Sequence, residues 1–146
     1  MNTTQIRELL QKRKLKVTPT RLNLLSEMDK YGSAMSHSTI QNQLNPIDRV
    51  TLYRTLEILK EKGIIHKAFQ ENNEIYYAIC GVTCEEHQHH HEHIHFKCIN
   101  CNIISCKEVN NSSQISLPYH EIHKVSINIE GVCDGCCKTI SNSSIS

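Results

Sequence analysis

Two CxxC pairs, Cys98-Ile99-Asn100-Cys101 and Cys133-Asp134-Gly135-Cys136, stand 31 residues apart in a chain of 146. A CxxC knuckle sets two thiolates about one tetrahedral edge apart. Two knuckles therefore make a closed four-cysteine site suited to structural zinc, one ion per chain. Such a site ties residues 98 and 133 together and makes the C-terminal part a small stapled fold. The competing use of these cysteines is a pair of disulfides, which needs an oxidising compartment. The N-terminus is polar and lacks the apolar core of a signal peptide, and no stretch reaches the ~20 apolar residues of a membrane span. The expected location is the cytoplasm, where thiols stay reduced and bind metal, with no membrane partner.

The ligand residues are unevenly spread. All eight cysteines fall between Cys80 and Cys137, and eight of the ten histidines between His87 and His123. Charge divides at nearly the same place: residues 1–69 hold 12 Lys/Arg against 6 Asp/Glu, and residues 70–146 hold 4 against 9. A basic, ligand-poor half is a candidate polyanion binder, and the acidic half carries the metal chemistry. Each half is small enough for a structural metal to supplement a thin core.

Helix signals dominate the first half. Residues 4–14 place Ile6, Leu9 and Leu10 on one face. Thr18 then caps and Pro19 opens a second helix, whose apolar stripe is Leu22, Leu25 and Met28 and whose end is Gly32. Ser36 can cap a short third helix through Ile40 and Leu44, which Pro46 breaks. Asp48 caps a fourth, with Leu52, Leu56 and Leu59 inward and Gly63 at its end. Residues 64–69 and 75–79 read as strands joined by an Asn72-Asn73 turn. Helices followed by a hairpin suggest a winged helix-turn-helix, with the fourth helix in the DNA major groove. Residues 94–97, 102–106 and 125–130 read as a second, small sheet. The fold class is α+β, an N-terminal winged helix followed by a zinc-stapled α/β dimerisation domain. The expected boundaries are 1–79 for the DNA-binding domain, 80–93 for a ligand-rich hinge, 94–137 for the second domain and 138–146 for a disordered tail.

On the fourth helix the inward leucines leave Arg54 pointing almost opposite, flanked by Thr51 and Tyr53. All three lie in the first two turns, the part of a recognition helix that meets base edges. Arg reads guanine in a bidentate way, and Thr or Tyr packs on a thymine methyl. Lys16 and Arg21, at the start of the second helix, are placed for phosphates or a neighbouring minor groove.

These residues resemble a known family. Asp48-Arg49-Val50-Thr51-Leu52-Tyr53-Arg54, Lys62-Gly63-Ile64-Ile65, His93-x-His95-x-x-Cys98-x-x-Cys101 and Gly131-x-Cys133-x-x-Cys136 together resemble the ferric uptake regulator family of bacterial repressors. Residues 15–21 and Ser36-His37-Ser38-Thr39 look like its second- and third-helix starts. The resemblance spans roughly residues 4–137 and implies a homodimer that binds palindromic double-stranded operators in a metal-dependent way. It also implies a regulatory metal site drawing on His37, His93, His95 and the position five residues after the first knuckle, here Cys106. One more ligand comes from the loop after the wing, where Cys84 is favoured over Cys80, Glu86 and His87. The family's accessory site falls on Ile94 and Val125, neither a ligand.

Sulfur and nitrogen ligands suit zinc, whereas a His/carboxylate set suits iron(II) or manganese. A Cys ligand also serves an iron-based peroxide sensor poorly, because sulfur itself oxidises. The expected function is a zinc-sensing repressor, with an iron(II) or peroxide sensor on the same scaffold as the alternative. Two other classes fit parts of the sequence. His91-Glu92-His93-Ile94-His95 matches HExxH, but that zinc-hydrolase motif works only on a helix, and here it runs into a strand. No enzyme is expected. A zinc store fits the histidine tract and leaves the recognition helix unexplained.

Overall fold

The computed structural model describes residues 1–80, 93–108, 116–123 and 125–143. The chain forms two compact units, Met1–His91 and Glu92–Ser146.

The first unit begins with α1 (Thr3–Lys12), opened by a capping box: the Asn2 side chain accepts the Gln5 N–H, and the Gln5 side chain accepts the Asn2 N–H, both at 2.8 Å. α2 (Pro19–Tyr31) has Thr18 as its cap and ends on Gly32, whose φ of +70° is the left-handed conformation that glycine adopts without strain. Ser36 caps α3 (His37–Gln43), and Asp48 caps α4 (Arg49–Glu61). Leu10, Leu24, Leu25, Ile40, Leu52, Leu56 and Leu59 are almost wholly buried in one core. Each such side chain stabilises the unit by roughly 1.5–3 kcal/mol. The stripe on α2 is rotated from the expected one: Leu24, Leu25 and Met28 are buried, and Leu22 only partly.

Three strands complete this unit. β2 (Ile65–Glu71) and β3 (Glu74–Ile79) form the hairpin, and β1 (Met35–Ser36) pairs antiparallel with β3, giving the order β1-β3-β2. Asn72 and Asn73 both take positive φ, 49° and 62°. That is the two-residue turn whose twist matches a hairpin. β1 is an addition to the expected layout.

The second unit is a sheet of order β5-β4-β6, made of β4 (His93–Cys98), β5 (Ile104–Glu108) and β6 (Ile127–Gly131). β4 runs antiparallel to β5 and parallel to β6. β5 starts two residues later than expected, because Asn102 adopts φ +58° just after the first knuckle and cannot extend a strand. Gly131 stands opposite Cys98 on β4. A Cβ there would lie 3.1 Å from Phe96 Cε2, so any larger residue requires the ring to give by a few tenths of an ångström.

Residues 138–143, expected to belong to a disordered tail, are helical instead: α5 runs Asp134–Ser143, and 144–146 lie outside the described residues. Its polar composition hid two local supports, a Lys138–Asp134 ion pair at 2.6 Å and a Thr139 hydroxyl donating to the Gly135 carbonyl at 3.0 Å.

Candidate metal centre and nucleic-acid interface

Cys98 closes β4, and the chain then turns tightly so that the Asn102 N–H reaches the Cys98 carbonyl at 2.9 Å. The Ile99 N–H donates to the Gly131 carbonyl at 2.8 Å, which carries β6 and the second knuckle alongside the first. The Cys133 N–H then points at Cys98 Sγ, 3.3 Å away. The sulfurs of Cys98, Cys101, Cys133 and Cys136 all lie within 4.8 Å of one another, and Cys101 Sγ is 3.7 Å from Cys133 Sγ. Zinc–sulfur bonds of ~2.3 Å in a tetrahedron imply sulfur–sulfur edges of about 3.8 Å. The four sulfurs fit that ion.

The thiols titrate unequally. Backbone N–H groups of Cys101 and Cys133 stabilise the Cys98 thiolate and lower its pKa to about 6. The Ile103 N–H draws Cys101 down, but the neighbouring thiols and burial outweigh it, and its pKa is raised. Hydrogen bonding with Cys133, then burial and the other thiols, pushes Cys136 up to about 12. One thiolate is readily held; four together need the positive charge of a divalent ion.

A second donor pair lies on the same sheet. His95 on β4 and Cys106 on β5 are directly opposed across the ladder, with ligand atoms within 4.8 Å of each other. His95 is buried, and burial pushes the Cys106 thiol up to about 11.

The first unit carries a comparable pair that the sequence reading missed. His66 Nδ1 lies 3.4 Å from the sulfur of Cys80. His66 is opposite Ala78 on β3, so Cys80 is its diagonal neighbour on the same face. A bulge between Lys67 and Phe69 shifts this register by one residue. The turn alone predicts the unshifted pairing, which is why His66 passed for an ordinary strand residue.

His37 is placed differently. It follows Ser36, which pairs with Tyr76, and Tyr76 precedes Cys80 by four residues. That is roughly 13 Å along an extended strand. His37 and the His66–Cys80 pair therefore do not share an ion within this unit. Cys84, Glu86 and His87 lie outside the described residues, and His93 is described only as the first residue of β4. That strand removes the helix on which an HExxH zinc-hydrolase site depends.

On α4, Thr51, Tyr53 and Arg54 are all exposed, as are Arg49 and Val50 before them. Tyr53 keeps 59% of its surface and Val50 57%, unusual for apolar side chains on a helix whose other face is fully buried. Asp48 accepts the Thr51 N–H at 2.9 Å and its hydroxyl at 2.5 Å, which lowers the Asp48 pKa and fixes the helix start. Lys16 is exposed, and Arg21 donates from Nη1 to the Lys16 carbonyl at 2.6 Å, ordering the turn into α2.

The sequence model of the ferric uptake regulator family matches residues 12–131. The chain belongs to the ferric uptake regulator family. It is 32% identical over 140 residues to a ferric uptake regulation protein of Staphylococcus aureus, covering 93% of this chain and 98% of that one. It is 33% identical over 144 residues to the Staphylococcus epidermidis protein of the same description, covering 94% and 99%. Its fold matches that of a zinc uptake regulator complexed with zinc and DNA, at 23% identity, a TM-score of 0.73 and 95% of each chain covered. Membership makes the chain a regulator rather than an enzyme. Among the described residues no helix is long and apolar enough to cross a membrane.

Proposed function

We propose that this chain is a cytoplasmic, zinc-sensing transcriptional repressor that binds palindromic double-stranded DNA as a homodimer. The observation that carries the metal choice is the make-up of the donor pairs: His66 with Cys80, and His95 with Cys106, two imidazoles and two thiols. Nitrogen and sulfur favour zinc over iron(II), and these pairs bring no carboxylate. His37, His93 and Cys84 remain further ligand candidates in this reading.

The four-cysteine centre is the structural zinc site, one per chain. Bound regulatory zinc supplies the positive charge that a His–Cys pair needs to ligate as imidazole and thiolate. Binding of the regulatory zinc favours the dimer whose recognition helices stand at the ~34–36 Å spacing of one DNA turn. Such coupling is typically worth about 1–3 kcal/mol. Arg54, Thr51 and Tyr53 read bases, while Lys16 and Arg21 position the unit on the backbone. Exposed Ile127 and Ile129 on the edge strand β6 support the homodimer.

The test is metal content under reducing, anaerobic conditions before and after a mild chelator, followed by competition between zinc and iron(II). One tight zinc and a second, labile zinc that displaces iron(II) is the expected result. A second site that prefers iron(II) shifts the reading to an iron or peroxide regulator.

A further inference from the structure

We propose that Val50 is a specificity-determining residue that packs on the 5-methyl group of a thymine in the major groove; this rests on the reading above that places α4 there and adds a contact to it. Val50 is the second residue of α4 and keeps 57% of its surface exposed. Successive residues of a helix turn by about 100°. Leu59, wholly buried in the core, lies nine positions after Val50, so the two side chains leave the helix on opposite sides. Arg54, five positions before Leu59, stands only about 140° from it. The centre of the outward face is therefore Val50. Tyr53 and Arg54, three and four positions on, are its neighbours there, and both are exposed.

Neither packing nor helix formation accounts for a valine at this place. It adds little to the core, and a β-branched side chain is a weaker helix former than the long charged residues that suit an exposed position. A single exposed apolar side chain is ordinary, but Val50 adjoins Tyr53, which is 59% exposed, and the two make one apolar surface. Charge selects what covers it. The exposed Arg49 and Arg54 flank Val50 at the start of the helix. The acidic residues of the same face, Glu57 and Glu61, lie on later turns, and Glu57 is paired with Lys60 at 2.7 Å. An apolar group between two guanidiniums suits a duplex, whose phosphates and guanine edges meet the cations. The thymine methyl is the apolar group that the major groove offers, and the first turns of a recognition helix are the part that reaches it.

The test uses a duplex selected from random sequences by the zinc-loaded, full-length protein. Each thymine of that duplex is replaced in turn by deoxyuridine, which lacks only the 5-methyl group. At one thymine of each half-site the wild type is expected to bind about four-fold more weakly, the worth of one buried methyl. Val50→Ala keeps the helix, because alanine is the best helix former, and withdraws two methyl groups. It should weaken binding to the thymine duplex by a similar factor and no longer distinguish thymine from deoxyuridine at that position, while the other thymines keep their effects. A weaker Val50→Ala in which every deoxyuridine effect keeps its wild-type size overturns the assignment, because Val50 then acts away from the base. Arg54→Ala on the same duplex tests the reading beneath. Unchanged affinity in Val50→Ala beside a weakened Arg54→Ala overturns the role of Val50 and leaves α4 in the groove. Unchanged affinity in both variants takes α4 out of the groove, and the reading falls with the proposal.

Discussion

Cys106 shows how a single side chain ties metal chemistry to folding. Its neighbour across the ladder is His95, and burial lifts its pKa from 9.0 to about 11. The metal-free fold therefore holds this proton more tightly than the unfolded chain does. Between pH 9 and 11 the unfolded chain loses the proton first, so the contribution of this thiol to stability is complete below 9 and is lost as pH rises towards 11. Denaturation of the metal-free protein across that window is expected to show the decline, and Cys106→Ala should remove its share. At neutral pH the same substitution should abolish the second zinc and leave the first, read by metal content per chain. Arg54 is the corresponding residue on the DNA side. Arg54→Ala is expected to cost about 1–3 kcal/mol of operator binding, seen as an about 5- to 150-fold weaker complex with unchanged circular dichroism.

Elements were legible in the sequence wherever a local signal fixed them. Thr18-Pro19, Gly32 and Asp48 mark helix ends through hydrogen bonds their own side chains or backbone make, and the structure realises each of them. The four-cysteine centre was equally legible, because its spacing is the geometry. What the sequence concealed depends on partners distant in the chain or on very short runs. β1 has two residues, too few to show alternation, and exists because β3 offers it an edge. His66 meets Cys80 only because a bulge slips the hairpin by one residue. α5 was hidden by a Ser- and Asn-rich composition that reads as tail. At this scale Gly131→Ala is a sharp probe. The added methyl meets the Phe96 ring at 3.1 Å, beside the knuckle. It should destabilise the second unit by about 1–3 kcal/mol, the usual cost of overpacking, measurable as a lowered denaturation midpoint at constant zinc content.

For the whole molecule, the proposed function requires two zinc ions of different roles in each chain, and a pair of chains. The two knuckles are joined by no disulfide, so in the proposed reading removal of the four-cysteine zinc by a strong chelator should unfold the second unit, while loss of the labile zinc should not. β6 leaves Ile127 and Ile129 about 40% exposed on the edge of its sheet, 38% and 42% respectively. Ile129→Lys is expected to shift the zinc-filled protein from dimer to monomer in sedimentation, and an unchanged dimer would place the interface elsewhere. Zinc sensing then follows from which metal makes the dimer competent for DNA. The most direct measurement is duplex affinity at buffered free zinc and, in parallel, at buffered free iron(II), on protein already holding its structural zinc and kept reduced. The account predicts that affinity rises as the second zinc binds, that iron(II) at the same free concentration does not substitute, and that His66→Ala or Cys106→Ser flattens the response. Affinity driven by iron(II), with zinc inactive beyond the first ion and both variants behaving as wild type, would contradict it.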